Sequence, residues 1–183
     1  MNLPWYRRIL TSNRNAELPE VEIDTAPGAI DAQFLLGLKC SLAADAAGAV
    51  ESYRLAADRG NALAQFNLAM MYELGQGVPP DCAEATKWFL KAAEQGDAGG
   101  QLQMGKRCHR GSFVPLTHDA RESRIEAYKW FKLAAAQGYK DSEMHCEQIG
   151  LAMTREERTE GQRRAGMPAP GGVSEIPIHS GGG

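Results

Sequence analysis

The 183-residue sequence is short of several things, and each shortage narrows its class. No run of about 18 apolar residues occurs, so no stretch reads as a membrane-spanning helix. Charge is close to balance, with a formal net of −3, so the whole chain lacks the basic excess of a nucleic-acid binder. Aromatics are only 7%. Four cysteines, Cys40, Cys82, Cys108 and Cys146, form no Cys-x-x-Cys pair, and a chain of this length does not need a disulfide scaffold. The opening stretch has Arg7 and Arg8, but polar residues from Thr11 to Asn15 follow where a secretory signal needs an apolar core. The expectation is a cytoplasmic protein, or a periplasmic or secreted one whose leader has been removed.

What the sequence has in excess is Ala, 27 residues, and Gly, 20 residues. Ala is the best helix former and permits close helix packing, whereas each Gly inside a helix costs roughly 1 kcal/mol. The placement of the glycines therefore decides the reading. They recur. Ala56-Ala57-Asp58-Arg59-Gly60, Ala92-Ala93-Glu94-Gln95-Gly96 and Ala134-Ala135-Ala136-Gln137-Gly138 are spaced by 36 and 42 residues. Ala32-Gln33-Phe34, Ala64-Gln65-Phe66 and Gly100-Gln101-Leu102 recur at 32 and 36. Trp88-Phe89 returns as Trp130-Phe131, with Ser52-Tyr53 at the matching place in the first unit.

Periods of this size belong to stacked helix pairs. The pattern predicts A helices near 31–43, 62–74, 98–110 and 140–152, and B helices near 46–59, 82–95 and 124–137. Asp45, Asp81 and Ser123 are placed to cap the B helices, and Gly60, Gly96 and Gly138 to end them. Thr154 to Glu157 fits a capping box opening a polar last helix that stops at Gly166. The expected organisation is an N-terminal segment, 1–30, partly irregular; a solenoid, 31–152; a capping helix, 153–166; and a disordered tail, 167–183. Leu3, Trp5, Tyr6 and Leu10 are expected to form a short helix on the first repeat, with a mobile tail as the alternative, or with Trp5 and Tyr6 occupying the groove.

The stretch from Gly60 to Gly96 resembles a full Sel-like repeat, the tetratricopeptide-like branch with a long Gly-rich turn between its helices. It combines Ala-x-x-x-Leu-Ala-x-x-Tyr, Gly-x-Gly-Val-x-x-Asp and Ala-x-x-Trp-Phe-x-x-Ala-Ala. The first unit lacks the Gly-x-Gly turn and the Trp, and the third has Gly99-Gly100 and Cys108 in its A helix. The resemblance covers about residues 31–152. It implies an all-α, α-solenoid fold of about three and a half helix pairs and a non-enzymatic protein-interaction module, an adaptor or scaffold. The alternative is a regulatory or chaperone-like subunit of an enzyme or envelope complex, and a distant one is an enzyme such as a hydrolase.

Leu36, Leu68 and Met104, with Ala85, Phe89 and Ala93, share core-facing helical positions. Small residues at Gly37, Ala69 and Gly105 allow the helices of a pair to approach, so Ala69→Leu should overpack. Trp88 and Trp130 read as packing between units rather than as ligand platforms. Cys108-His109 and His145-Cys146 raise a zinc hypothesis, but neighbours on a helix point about 100° apart, so buried thiols are expected instead. Gly75-Gln76-Gly77 lacks the strand and the Lys-Ser/Thr of a phosphate loop. No catalytic set, metal site or cofactor is expected.

In the family the A helices line a groove. The positions inferred to face it are Asp31, Phe34 and Leu38; Leu63, Met70 and Glu73; Lys106, His109 and Arg110; then Gln148 and Leu151. The groove reads as apolar at its start and basic around 106–110, with Arg107 and Arg121 adding charge. A protein or peptide partner of acidic or amphipathic character is the expected ligand.

Overall fold

The computed structural model describes residues 29–111 and 120–166. The expectations placed on Leu3, Trp5, Tyr6 and Leu10, on most of the third A–B turn and on residues 167–183 lie outside the described residues. Within them, eight helices and no strand occur: α1 (Ala29–Leu42), α2 (Ala46–Asp58), α3 (Ala62–Leu74), α4 (Cys82–Glu94), α5 (Ala98–His109), α6 (Ala120–Ala136), α7 (Ser142–Leu151) and α8 (Arg155–Arg164). Each packs chiefly on its neighbours in sequence, and α8 turns back onto α6. The result is an α-solenoid of antiparallel pairs, α1–α2, α3–α4 and α5–α6, followed by the unpaired A-type helix α7 and the closing α8.

Local chemistry accounts for the helix ends. The Asp45 and Asp81 side chains accept from the first free backbone N–H groups of α2 and α4, and Asn61 and Asp97 do the same for α3 and α5. Gly60, Gly96, Gly138 and Gly166 all stand at positive φ just past a helix. The Gly75-to-Pro80 turn is tight: a Cβ on Gly77 would lie 2.3 Å from the Ala46 carbonyl oxygen, so this turn packs directly against the start of α2.

One aromatic ring per pair is clamped between the two helices. Tyr53, Phe89 and Phe131 occupy equivalent B positions and are 1%, 0% and 1% exposed. Each faces a small residue on its A helix: a Cβ on Gly37 would lie 2.5 Å from Tyr53, and one on Gly105 2.5 Å from Phe131. Ala69 fills the middle position and is fully buried. Ala85, Phe89, Ala93, Leu68 and Met104 are buried as expected, and so are Trp88 and Trp130.

A polar ladder joins successive pairs. The Gln65 side chain donates to the Ala57 carbonyl at 3.0 Å and accepts from Gln95 at 2.6 Å. One repeat later, Gln101 donates to the Ala93 carbonyl at 3.3 Å and accepts from Gln137 at 2.9 Å. These buried amides add a side-chain donor to last-turn carbonyls that also accept the backbone N–H of Gly60 or Gly96, and so join one B helix to the next A helix.

Three sequence expectations are corrected. Ser123 is not a helix cap, because α6 begins at Ala120 and Ser123 lies inside its first turns. The extension is held by Glu122, which pairs with Arg164 of α8. The last A helix starts at Ser142 rather than near 140, because Asp141 adopts φ 69° and gives no side-chain cap. Leu36 is 36% exposed while its equivalents Leu68 and Met104 are fully buried. Those two are covered from the preceding pair, and α1 has no preceding pair among the described residues.

Candidate interaction surface

A side-chain contact connects two of the A helices, α3 and α5. Arg107 of α5 reaches Glu73 of α3, with Nη2 and Oε1 3.0 Å apart. Its Nε donates to Thr86 Oγ1 at 3.0 Å, and its guanidinium lies 4.5 Å from the Phe89 ring centroid. Arg107 is only 9% exposed. A buried guanidinium needs such partners, since leaving it unpaired is costly. Glu73 and Arg107 were expected on the open surface; they instead pair with each other and tie the second repeat to the third. Arg121, at the start of α6, lies by Glu157 of α8, 3.8 Å away.

The remaining expected positions fall in three groups. Phe34, Leu38, Met70 and Lys106 are half-buried. Phe34 leans on Tyr53, ring centroids 5.9 Å apart, and Met70 packs on the core. Leu63, His109, Arg110, Gln148 and Leu151 are exposed. Asp31 lies in α1, and its side chain is outside the described set. Exposed apolar side chains, Leu35 and Leu63, thus stand on the first two A helices, and Lys106, His109 and Arg110 stand on and just past the third.

His145 joins this basic group, although its sequence position only suggested a metal ligand. It stacks on Phe131 with centroids 5.0 Å apart and planes 18° apart. Burial holds its pKa below the ordinary 6.5, and the charges of Lys106 and then His109 press it the same way, against Asp141. Three cationic or titratable side chains from two helices therefore converge near the C-terminal end of α5. The helix dipole there favours positive charge, which helps keep cations in place.

The cysteines beside them are buried thiols. Burial pushes Cys108 up to about 12 and Cys146 up to about 11, so neither is a thiolate near neutrality. Among the described residues no three His, Cys, Asp or Glu side chains gather as a metal site. An open cleft of about 640 Å³ lies between α6 and α8, lined by Arg121, Arg155, Glu156, Thr159, Glu160 and Arg164. Its Arg164 is already engaged by Glu122, Glu126 and Glu160. No helix among the described residues is long and apolar enough to cross a membrane.

The repeat geometry has a counterpart among known proteins. The Sel1 repeat family matches residues 62–97 and 98–139, the α3–α4 and α5–α6 units with their following turns. Residues 62–139 are thus two successive Sel1 repeats. The solved structure of a Sel1 repeat protein from Oxalobacter formigenes superposes with a TM-score of 0.59 at 29% identity, covering 76% of this chain and 59% of that one. A protective antigen present in uropathogenic Escherichia coli strains, which displays the same repeat fold, gives 0.57 at 32% identity, covering 88% of this chain and 32% of that one. A curated relative, the exopolysaccharide production negative regulator of Rhizobium leguminosarum bv. viciae, is 38% identical over 72 residues, or 39% of this chain. The chain spans 27% of that regulator's length. These likenesses agree with the all-α Sel-like solenoid.

Sequence reading missed the glutamine ladder and the Arg107–Glu73–Thr86 contact. The ladder had a visible signal, since Gln65 and Gln101 recur at one A position and Gln95 and Gln137 at one B position. The Arg107 contact had none, because Glu73 and Arg107 stand 34 residues apart and neither recurs in the other units.

Proposed function

We propose that this Sel-like repeat protein is a non-enzymatic interaction module that holds an acidic or amphipathic peptide against its A-helix face. The observation that carries the reading is the joint placement of Lys106, His109 and His145 at one end of that face, beyond the exposed Leu63. Apolar side chains supply contact area, and the cations orient a partner and exclude basic competitors. Arg107 serves the surface indirectly, by keeping α3 and α5 in fixed relation through Glu73. A preformed face binds without first ordering itself, which lowers the entropic cost of association.

The test is affinity capture with the native protein and a Lys106→Glu/Arg110→Glu variant whose helicity and melting midpoint match it. Specific partners should be captured by the first and lost by the second. Equal capture would place the binding surface elsewhere.

A regulatory-subunit reading draws support from the exopolysaccharide regulator, which shares 38% identity over 72 residues. In that case the partner is an enzyme or envelope complex, and the same face makes the contact.

A further inference from the structure

The basic end of the A-helix face has a complementary sequence within its own chain. Residues 17–24 read Glu-Leu-Pro-Glu-Val-Glu-Ile-Asp, with Glu17, Glu20, Glu22 and Asp24 interleaved with Leu18, Val21 and Ile23. No Lys or Arg occurs between Arg14 and Lys39. This stretch has the acidic, amphipathic character that the face fits. It also precedes α1 directly. We propose that the Glu17–Asp24 segment docks on the Lys106–Arg110 end of the A-helix face and competes there with outside partners. This deepens the peptide-binding reading and rests on it.

The reach is sufficient. The A helices run in parallel, so the N-terminus of α1 and the C-terminus of α5 lie at opposite ends of the face. Successive A helices do not pack directly on one another, so two spacings of about 12 Å and one helix length of about 18 Å separate them, or about 30 Å in all. Glu20 stands nine residues before Ala29. Nine extended residues span about 30 Å. Glu17 reaches further still, so the acidic stretch arrives at the cations without unwinding α1. A short tether gives an effective concentration in the millimolar range, so even a site with a Kd of about 0.1 mM is about nine-tenths filled. An outside peptide then binds about tenfold more weakly than to the vacant face. Binding that depends on exposed charge weakens as salt rises.

Two measurements on the full-length chain test the proposal. The first is carbodiimide coupling, which joins a carboxylate to a lysine amine in contact. An amide between Glu17, Glu20 or Glu22 and Lys106 in the monomer fraction is expected, diminishing in high salt. Its absence from the monomer, or its presence only between two copies, overturns intramolecular docking. The second uses a labelled synthetic peptide with the sequence of residues 14–26 as probe. It is titrated against the native chain, a Glu17→Gln/Glu20→Gln/Glu22→Gln chain and a Lys106→Glu/Arg110→Glu chain. Binding should be about tenfold tighter to the neutralised segment than to the native chain, and lost in the charge-reversed chain. Equal binding to native and neutralised chains overturns self-docking while leaving the peptide-binding reading intact. No binding to either overturns both.

Discussion

At the scale of single residues, backbone space decides more than side-chain chemistry. Gly105 and Gly37 exist to admit a ring: the Phe131 side chain, 1% exposed, leaves no room for a methyl group on Gly105. Gly105→Ala gains up to about 1 kcal/mol of helix propensity. It meets an overpacking cost of about 1–3 kcal/mol, and the buried ring cannot retreat. A lower melting midpoint is expected, and an unchanged one would show that α5 and α6 separate freely. Ala44 presents the reverse case. It holds φ 61° in the shortened turn between α1 and α2, a conformation that costs an L-residue about 1–2 kcal/mol. Ala44→Gly should therefore raise the midpoint, even though the same exchange within a helix lowers it. Denaturant midpoints of the two variants, read side by side, check both signs. The small residues at 37, 69 and 105 were legible in the sequence because they recur in register with an aromatic residue on the B helix. The strain at Ala44 was not legible, because it arises from a deletion in the turn rather than from a motif.

At the scale of elements, α8 shows how a helix with little apolar content is retained. The Thr154 hydroxyl accepts from the Glu157 N–H at 3.2 Å, and the Glu157 carboxylate accepts from the Thr154 N–H at 2.9 Å. Arg124 of α6 donates to the same carboxylate at 2.8 Å. The Thr154 N–H and then Arg124 hold the Glu157 pKa below its ordinary 4.5. Burial works to raise Glu126, but Lys129 and Arg164 outweigh it and leave it lowered, and Arg163 with Arg164 brings Glu160 to about 2. A carboxylate whose folded pKa is depressed adds stability in full above its unfolded value. That stability is lost as the pH falls through the folded one. The α8 anchorage should therefore weaken below the ordinary 4.5. Glu157→Gln should lower the urea midpoint at neutral pH, and the gap from the native chain should narrow near about pH 3. A gap of the same size at both pH values would mean that the charge of Glu157 contributes nothing. The capping box was legible from Thr154 and Glu157 alone, since both ends of that bond lie within one turn. The partners on α6 were not, and for the same reason Ser123 looked like a cap. Its helix is extended N-terminally by Glu122, whose partner Arg164 stands 42 residues away.

At the scale of the whole molecule, the two ends of the solenoid differ, and this sets how it fails. Leu35 and Leu36 of α1 are 38% and 36% exposed, whereas α8 presents Arg and Glu to solvent at the other end. Stacked repeats bury a continuous core, so a last unit must supply a polar outer face. Here α8 covers α6: Gly161 packs so closely on Tyr128 that an added Cβ would lie 2.8 Å from the ring. Arg164 meanwhile draws Glu122 and Glu126 to the same junction. A chain ending at Ala152 loses all of these at once. It exposes the Tyr128 ring and the α6 face beneath α8, and it leaves Glu122 and Glu126 without Arg164. Loss of the Arg164 ion pairs alone costs little, because such partly exposed pairs contribute about 0–1 kcal/mol each. Uncovering the apolar face matters more, and it acts on association rather than on helicity. The shortened chain should thus keep most of its circular dichroism yet self-associate in size-exclusion chromatography with light scattering. Replacing Arg164 with Ala in the intact chain should leave its association state as in the native chain, because α8 still covers Tyr128. If the shortened chain keeps both the association state and the melting midpoint of the native chain, α8 is an appendage rather than a cap. If the Arg164→Ala chain self-associates as well, the ion pairs rather than the apolar contact hold α8 in place.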